Sequence, residues 1–558
     1  MRAGFYINLS ALLLLGGPVL LGLLATLLPA WGYFPVLGFN QWSWQPWQQL
    51  WHWPGLARGL GLSLFTGLTA TALSLLLVWW FLLALLEHPW GQRLQRGLAP
   101  LLAIPHAALA LGLVFLFSPS GWLVRWVSPW ASGWHSPPLG FGVQDPWGWG
   151  LILGLVLKEF PYLLLVTLAA LPNLPWRQSL RLGQSLGYPP WQSWLWLLWP
   201  ALYRQLRLPL LAVLVYALAN VDMALLLGPT TPPTLAVQLW RWMLDADLSW
   251  RLPASAGAVL LLGLLLLAVL GWWLMERLLA WLCLQGLRRG WRAPVWPRTA
   301  SVGRWLLVGL LALVLLALLG LLISSLSWRW PFPLAWPQSW TLTTWQRQLP
   351  RLWLLSQETL LLALSVSAVA LTIVVLWLEG LGRRGPSAWL SLALYLPLLI
   401  PQLSFLFGLQ VLLVSLGGQG QWWAVFWGHL LFVLPYVYLS LAGAYQAFDQ
   451  RYWQQGRLLG LTPWGCWWRV KAPLLLRPLL AALAIGVAVS VAQYLSTLFL
   501  GGGRVATLTT EAISLGSGAD RRVLGVYAWG QLCWPVLIYA LALLLPRWRY
   551  RHFAQMRL

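Results

Sequence analysis

Charged residues are scarce in this chain of 558 residues: they make up 8% of it, whereas 60% of residues are hydrophobic and the mean hydropathy is +0.71. Soluble domains carry roughly 25% charged residues. Apolar stretches of about 20 residues, long enough to cross the hydrocarbon core of a bilayer, recur from one end of the chain to the other. The composition excludes an ordinary soluble protein and predicts a membrane protein.

Patterns for binding metals and nucleotides are also missing. The cysteines Cys283, Cys466 and Cys533 lie far apart and show neither metal-ligand spacing nor an evident pairing. The sequence has no G-x-x-x-x-G-K-[ST] phosphate loop, and its His, Cys, Asp and Glu residues do not cluster at metal-site spacing. We therefore expect neither an enzyme nor a cofactor on this chain.

Acidic residues are rarer than basic ones, 12 against 35, which gives a formal net charge of +23. The arginines fall mainly in alternate loops: Arg93 and Arg96, Arg177 to Arg207, Arg288 to Arg304, Arg383 and Arg384, Arg451 to Arg477, and Arg547 to Arg557. This is the positive-inside bias of membrane proteins rather than a nucleic-acid surface. It predicts that these loops and both termini are cytoplasmic, although Arg125, Arg241, Arg251 and Arg504 depart from the pattern.

The apolar stretches predict an all-α membrane protein with about twelve spans in two sets of six. The first set lies near 7–28, 58–84, 98–117, 149–171, 207–228 and 254–284; the second lies near 304–326, 354–378, 388–415, 421–446, 476–500 and 523–546. We place one half at 1–290 and the other at 291–558, with the basic segment from Gln285 to Arg304 between the two sets. Many of the 47 tryptophans fall at predicted span ends, which favours an interfacial belt over an aromatic substrate cage.

The two sets of spans are repeats of one another. Ile104-Pro105 and Gly112 match Ile400-Pro401 and Gly408, and Pro161-Tyr162 matches Pro435-Tyr436. The offset falls between these pairs because the first half contains an extra segment rich in Trp, Pro and Ser, residues 118–140. An even number of spans in each half gives both repeats the same orientation, so a pseudo-twofold axis along the membrane normal would relate them.

The clearest repeated pattern lies in two basic loops, the first loop (172–206) and the second loop (447–475). Gly187 is followed by Pro200, and Gly460 by Pro473, each 13 residues later, with a Pro-Trp pair between them in both loops. A glycine permits a backbone turn that other residues resist, and a proline redirects the chain. We predict a short helix, a break at the glycine, and a second helix that lies across the cytoplasmic mouth.

The spacing resembles the signature loop of the membrane subunits of ATP-binding-cassette (ABC) importers, E-A-A-x-x-x-G followed after nine residues by I-x-L-P. The glycine and proline match in both loops, whereas Arg181-Leu182-Gly183 and Gln454-Gln455-Gly456 replace E-A-A. The whole chain looks like the fused, double-length permeases of the thiamine, iron(III) and polyamine group. In that family the loop is a coupling helix that docks on a separate ATPase, so the resemblance implies that ATP and Mg²⁺ are bound by that partner and not by this chain.

This resemblance implies ATPase-coupling residues, namely Arg181, Gly183, Gly187, Pro200, Gln454, Gly456, Gly460 and Pro473. It implies as partners a homodimeric ATPase and an external solute-binding protein, and it places the chain in the bilayer of a bacterial inner membrane. Gly183 to Gly187 also fits the G-x-S-x-G pattern of serine hydrolases, which requires a strand–turn–helix context. Ser185 lies in a basic loop and its repeat mate is Leu458, so we reject that alternative.

Polar residues inside predicted spans are candidates for the pathway, because ionisable groups are costly in a membrane. They are Asn220, Asp222, Gln493, Lys158 and Glu159. Asn220 and Gln493 occupy equivalent repeat positions, each eight residues before a glycine, and interhelical hydrogen bonding is an equal alternative for them. A mutually neutralising pair is favoured for Lys158 and Glu159, and a packing role for His429.

The segments from Gly228 to Trp240 and from Gly501 to Ile513 are rich in Gly and Thr, follow the fifth and eleventh spans, and suit folded-back loops at an outer mouth where a binding protein would dock. Together these patterns predict the permease subunit of an ABC importer. The alternative is a secondary transporter with parallel repeats that is coupled to protons through Glu159 or Asp222. The sequence does not identify the solute.

Overall fold

A computed structural model describes residues 2–85, 91, 99–138, 142–292, 299–382, 385–516, 518 and 520–550. The arginines at 93, 96, 383, 384 and 551–557 that contribute to the charge bias lie outside the described residues, as do residues 293–298 of the segment between the two sets.

Helices account for nearly all of the described secondary structure. The main helices of the first set are α1 (Gly4–Ala30), α2 (Leu56–Leu85), α3 (His106–Phe117), α4 (Trp149–Ala170), α5 (Trp176–Ser185), α6 (Trp199–Ala219), α7 (Asp222–Leu227), α8 (Leu235–Met243) and α9 (Arg251–Arg288). Those of the second set are α10 (Thr299–Ser325), α11 (Thr343–Leu381), α12 (Ala388–Leu399), α13 (Gln402–Ser415), α14 (Trp422–Gln446), α15 (Gln450–Leu458), α16 (Leu476–Ala492), α17 (Leu495–Gly501), α18 (Leu508–Gly516) and α19 (Arg521–Arg549). A short hairpin of β1 (Ser327–Arg329) and β2 (Ser339–Trp340) connects α10 to α11.

The described residues contain ten helices that are long and apolar enough to span a membrane, and twelve spans if two sharply bent helix pairs are counted as one each. The prediction of an all-α membrane fold with about twelve spans is therefore confirmed. Some details differ. The ninth span, predicted as one stretch, bends by 93° between α12 and α13, where Pro401 immediately precedes the second helix. The fifth begins upstream of the predicted 207 and ends at Ala219.

The first helix of each set packs against the third helix of the other set: α1 lies on α13, and α10 lies on α3. The repeat glycines explain these contacts. Gly408 N donates to Thr26 Oγ1 at 3.0 Å, and a Cβ on Gly112 would stand 3.0 Å from the backbone oxygen of Ala317. Small residues allow backbones to approach closely in membranes, so Gly112 and Gly408 lie where the exchanged helices cross.

The extra segment of the first set also contacts the second set. Arg125 Nη1 donates to the backbone oxygens of Pro331 and Leu334, at 2.9 and 3.2 Å, in the connection between β1 and β2. Trp122 Nε1 donates to Ala335 O at 3.0 Å. The insertion therefore joins the two sets of helices at the end of the molecule that carries the hairpin.

Candidate translocation cavity and repeated loops

Two helices break at the polar repeat positions. Helix α6 ends before Asn220 and α7 starts at Asp222, while α16 ends before Gln493 and α17 starts at Leu495. Asn220 and Gln493 have extended backbones at these breaks. The sequence places spans near 207–228 and 476–500, and an apolar run of this length gives no sign of the interruption that the structure shows within each of them.

The polar side chain at each break accepts hydrogen bonds from the helix that follows the break. Asn220 Oδ1 accepts hydrogen bonds from Met223 N at 3.0 Å and Ala224 N at 3.1 Å. The first N–H groups of a helix have no intrahelical partner, and Asn220 supplies acceptors for two of them. In the other set Gln493 Oε1 accepts from Ser496 Oγ at 3.0 Å. The two residues therefore have a structural role whatever else they contact.

Both breaks open onto one cavity of about 140 Å³ between the two sets. It is lined by several pairs of repeat mates: His106 and Gln402, Tyr216 and Val489, Ala219 and Ala492, Asn220 and Gln493, Val221 and Tyr494, Asp222 and Leu495. By the criterion of one probe sphere per water, this volume holds on the order of ten waters. The cavity thus lies at the interface that the parallel repeat predicted, and it brings Asn220, Asp222 and Gln493 together.

Asp222 is held within the cavity wall by neighbouring polar groups. Asn220 Nδ2 donates to Asp222 Oδ1 at 2.8 Å, and the Tyr216 hydroxyl donates to the same oxygen at 3.3 Å. The ring of Tyr216 contacts that of His106, with centroids 5.0 Å apart. These contacts orient the carboxylate while it remains part of the cavity lining.

Lys158 and Glu159 lie behind this wall rather than in it. Lys158 Nζ donates to the backbone oxygens of Leu101, Leu102 and Ile104, at 3.3, 3.2 and 2.5 Å. It therefore holds the turn that precedes Pro105. Glu159 Oε1 lies 3.8 Å from His106 Nε2. No ion pair joins Lys158 to Glu159 in the described part of the chain, because consecutive helical residues point about 100° apart. The mutually neutralising pair that the sequence favoured therefore has no direct salt bridge between its two side chains.

His429 is buried and bonded through both ring nitrogens. Nδ1 lies 2.8 Å from Ser490 Oγ, and Nε2 lies 2.8 Å from Thr497 Oγ1. Because Ser490 precedes the break at Gln493 and Thr497 follows it, His429 ties both sides of the break to α14. These contacts support the packing role favoured by the sequence.

The two loops have the same backbone. Helix α5 ends at Ser185 and α15 at Leu458; Gly187 and Gly460 follow with φ of +81° and +83°. Tyr188 N bonds to Gly183 O at 3.0 Å and Gly187 N to Gln184 O at 2.9 Å, and the equivalent pairs recur in the second loop. This is the Schellman motif, which places a glycine just beyond the helix end. The predicted helix and break at the glycine are present in both loops.

A second short helix follows each break, from Pro190 and from Pro463. Gly183 and Gly456, at the last position of the missing E-A-A, lie where the two short helices cross. A Cβ on Gly183 would stand 2.7 Å from Ser193 Cβ, and one on Gly456 would stand 2.9 Å from Cys466 Sγ. A glycine therefore replaces the signature alanine at this position in both loops because the crossing is tight.

The other predicted loop residues have simpler positions. Arg181 and Gln454 are exposed on the first short helix of their loops. Pro200 lies in the first turn of α6, and the chain runs from Pro190 to Ala219 without an interruption. Pro473 instead precedes a 78° bend between 463–474 and α16. A redirection just after the proline is therefore observed only in the second loop.

The sequence did not predict the side chains that hold the loops. In the second loop, Lys471 Nζ lies 2.7 Å from Glu379 Oε1, and the Tyr445 hydroxyl donates to the same oxygen. In the first loop, Arg292 Nη2 donates to Leu186 O at 3.0 Å and Gln192 Nε2 donates to Trp291 O at 2.7 Å. The rarity of lysine was the one sequence signal for these contacts, because the chain has two lysines, Lys158 and Lys471.

Comparison with known proteins identifies the family of the chain. Residues 380–554 match the family model described as binding-protein-dependent transport system inner membrane component. Over 510 residues, 90% of each chain, the protein is 35% identical to the inner membrane ABC transporter permease protein YnjC of Escherichia coli K12. It is 26% identical over 421 residues, 73% of each chain, to the thiamine transport system permease protein ThiP of the same strain. The chain belongs to the family of binding-protein-dependent ABC transporter permeases, and it is a multi-pass transport subunit of the inner membrane.

Proposed function

We propose that this chain forms the whole translocation unit of its importer, with both permease halves on one polypeptide, 1–290 and 291–558. Two copies of one ATPase dock on the first and second loops, one on each. The observation that carries this proposal is the repeated loop backbone, in which Gly187 and Gly460 end a helix in the same left-handed conformation. Two equivalent surfaces on one chain suit a partner that is itself a symmetric dimer.

The path of the solute follows from the same repeat. An external binding protein delivers the solute to the outer mouth, near the segments that follow α7 and α17, and the solute passes through the cavity beside Asn220, Asp222 and Gln493. ATP-driven closure of the partner pulls the two loops together and switches the cavity between its two openings. In this arrangement both termini and both loops are cytoplasmic. Thiamine, the solute named for two relatives, is the first solute to test.

Substitution of the loop glycines tests the docking surfaces. We expect Gly187→Glu with Gly460→Glu to abolish uptake and the recovery of a phosphate-loop ATPase with the chain, because the side chains add bulk and charge at positive φ. Gly38→Glu is the matched control, since Gly38 also has positive φ, at 84°, and open space around its Cβ, and it lies outside both loops and outside the segments that follow α7 and α17. Normal uptake by the double variant would contradict the docking assignment.

A further inference from the structure

Both sets contribute polar side chains to the cavity between them, but they differ in charge. The repeat mates His106 and Gln402 are both polar, as are Asn220 and Gln493, and the tyrosines Tyr216 and Tyr494 have the apolar mates Val489 and Val221. Asp222, by contrast, has the apolar mate Leu495, and it is the one carboxylate among the lining residues of the described chain. The first set therefore supplies the acidic side chain of the cavity.

With Asp222, Glu159 and Lys158 ionised and His106 neutral, the charges around this wall leave an excess of one negative charge. Asp222 is the one carboxylate among the lining residues of the described chain, and these include no lysine or arginine. Behind the wall, Lys158 and Glu159 cancel in net charge, although the Lys158 ammonium is directed to three backbone oxygens. The hydrogen bonds from Asn220 and Tyr216 to Asp222 come from neutral groups. An ionised carboxylate in such a place requires a counter-charge.

Aromatic rings complete the lining. Tyr216, Phe432, Tyr436 and Tyr494 contribute to the wall, and they come from both sets of helices. The faces of such rings attract cations, and the attraction grows when the cation loses water. A carboxylate on one side and several aromatic rings around it form a site that favours a cation over an anion or a neutral molecule of the same size.

We propose that this cavity is a binding site for a small organic monocation, with Asp222 as the counter-charge and the surrounding aromatic rings as the remaining wall. The inference rests on the proposed function, because it assigns a chemical class to the solute that passes through the cavity. Asp222 is then the residue that determines specificity for charge. Asn220 positions its carboxylate and also supports the start of α7.

Cysteine labelling measures the charge preference of the cavity without knowledge of the solute. The reporter is Ala492→Cys, a lining residue that the second set contributes to the same cavity, in a background where Cys283, Cys466 and Cys533 are replaced; none of the three lines the cavity. In native membranes, the labelling rate of trimethylammonium-ethyl methanethiosulfonate is divided by that of neutral ethyl methanethiosulfonate. The same ratio at the exposed Ser415→Cys provides the reference.

We expect the ratio at the Ala492→Cys reporter to exceed the reference about tenfold, the effect of a unit charge across a small, partly hydrated cavity. Asp222→Asn should lower it to the reference value. Adding Gln493→Glu to Asp222→Asn should restore it, because the new carboxylate enters the same cavity from the other set. An unchanged ratio in Asp222→Asn, or a reporter thiol that neither reagent reaches, would overturn the proposal.

This experiment separates the two proposals. Labelling needs no ATPase, so a failure of docking on Gly187 and Gly460 leaves the labelling result intact. Conversely, Asp222→Asn should still be recovered with the ATPase, because Asp222 lies in the cavity and not in either loop. If docking is retained and the labelling ratio does not respond to Asp222→Asn, the cation assignment alone is wrong.

Discussion

The first and second loops share a backbone but are held by different neighbours. In each loop two short helices cross at a glycine, and a second glycine at positive φ follows the end of the first short helix. The first loop is then covered by the segment between the two sets, through Trp291 and Arg292. The second loop is held through Lys471, which pairs with Glu379. Its tip is exposed to solvent, since Leu458 and Leu459 are 87% and 82% exposed.

This difference shows which features of the loop are independent of its surroundings. Glycine positions depend on local backbone geometry, so they recur in both loops. Anchoring side chains depend on what each half places beside its loop: Leu198 stands in the first loop at the position equivalent to Lys471. We therefore expect changes to the glycines to act alike in both loops, and changes to the anchors to act on one loop only.

The largest effect should come from filling the helix crossings. Gly183→Leu and Gly456→Leu each insert a side chain where even a Cβ meets a neighbour within 3 Å. Overpacking of this kind costs typically 1–3 kcal/mol, and we expect about 3 kcal/mol in both loops, measured as the loss of thermal stability in detergent. Gly443→Leu is the control, because no atom lies within 4 Å of its Cβ position. A large loss in one loop with none in the other would contradict the shared crossing.

A smaller effect, confined to the second loop, should follow Glu379→Gln. Lys471 is 6% exposed and the Glu379 side chain 35% exposed. Removing one partner of a fully buried ion pair costs about 3–5 kcal/mol, so we expect about 2 kcal/mol for this partly exposed pair. Limited proteolysis should show faster cleavage in the second loop than in the unmodified protein, and an unchanged cleavage rate in the first loop.

The matched variant for this prediction is Glu276→Gln. Glu276 Oε2 lies 3.2 Å from Arg207 Nη2, with the two side chains 19% and 45% exposed, so solvent screens the charge on the Arg207 side. Glu276 Oε1 also accepts from the Tyr203 hydroxyl at 2.6 Å, and the amide oxygen of Gln can keep that hydrogen bond. We expect its loss to change stability by less than about 1 kcal/mol. Equal effects of Glu276→Gln and Glu379→Gln would contradict the difference between the two anchors.

The smallest effect should follow Arg292→Ala, which removes the hydrogen bond to Leu186 O and uncovers Gly187. A single hydrogen bond contributes about 0.5–1.5 kcal/mol, so we expect faster amide exchange around Gly187 with little change in global stability. Arg289→Ala should have no effect on exchange, since Arg289 is exposed. An unchanged rate of amide exchange around Gly187 in Arg292→Ala would show that the segment between the two sets does not restrain the first loop.

The sequence predicted the parts of the fold that local chemistry determines. Glycine and proline spacing located both loops, because helix ends of this kind require a residue that accepts positive φ. The repeat offset also paired Asn220 with Gln493 correctly, since equivalent positions of a repeat occupy equivalent places. Whether either residue interrupts its helix was not visible, because the flanking residues are as apolar as those of a continuous span.

Features that depend on distant contacts were not predicted. Helices α1 and α10 each pack against the other set, and the hydropathy pattern does not predict this arrangement, because an apolar helix is compatible with several neighbours in a membrane. Lys158 and Glu159 suggested an ion pair by adjacency, but the backbone oxygens that accept from Lys158 lie more than 50 residues away in sequence. Glu379 and Lys471, 92 residues apart, show the same limit.

The most direct test of the central claim is the stoichiometry of the complex, measured by native mass spectrometry after release from the native membrane in mild detergent. The account predicts one copy of this chain with two copies of one phosphate-loop ATPase, and loss of that ATPase in the variant with both Gly187→Glu and Gly460→Glu. A chain that is released alone, or with a single ATPase that the double variant retains, would contradict it.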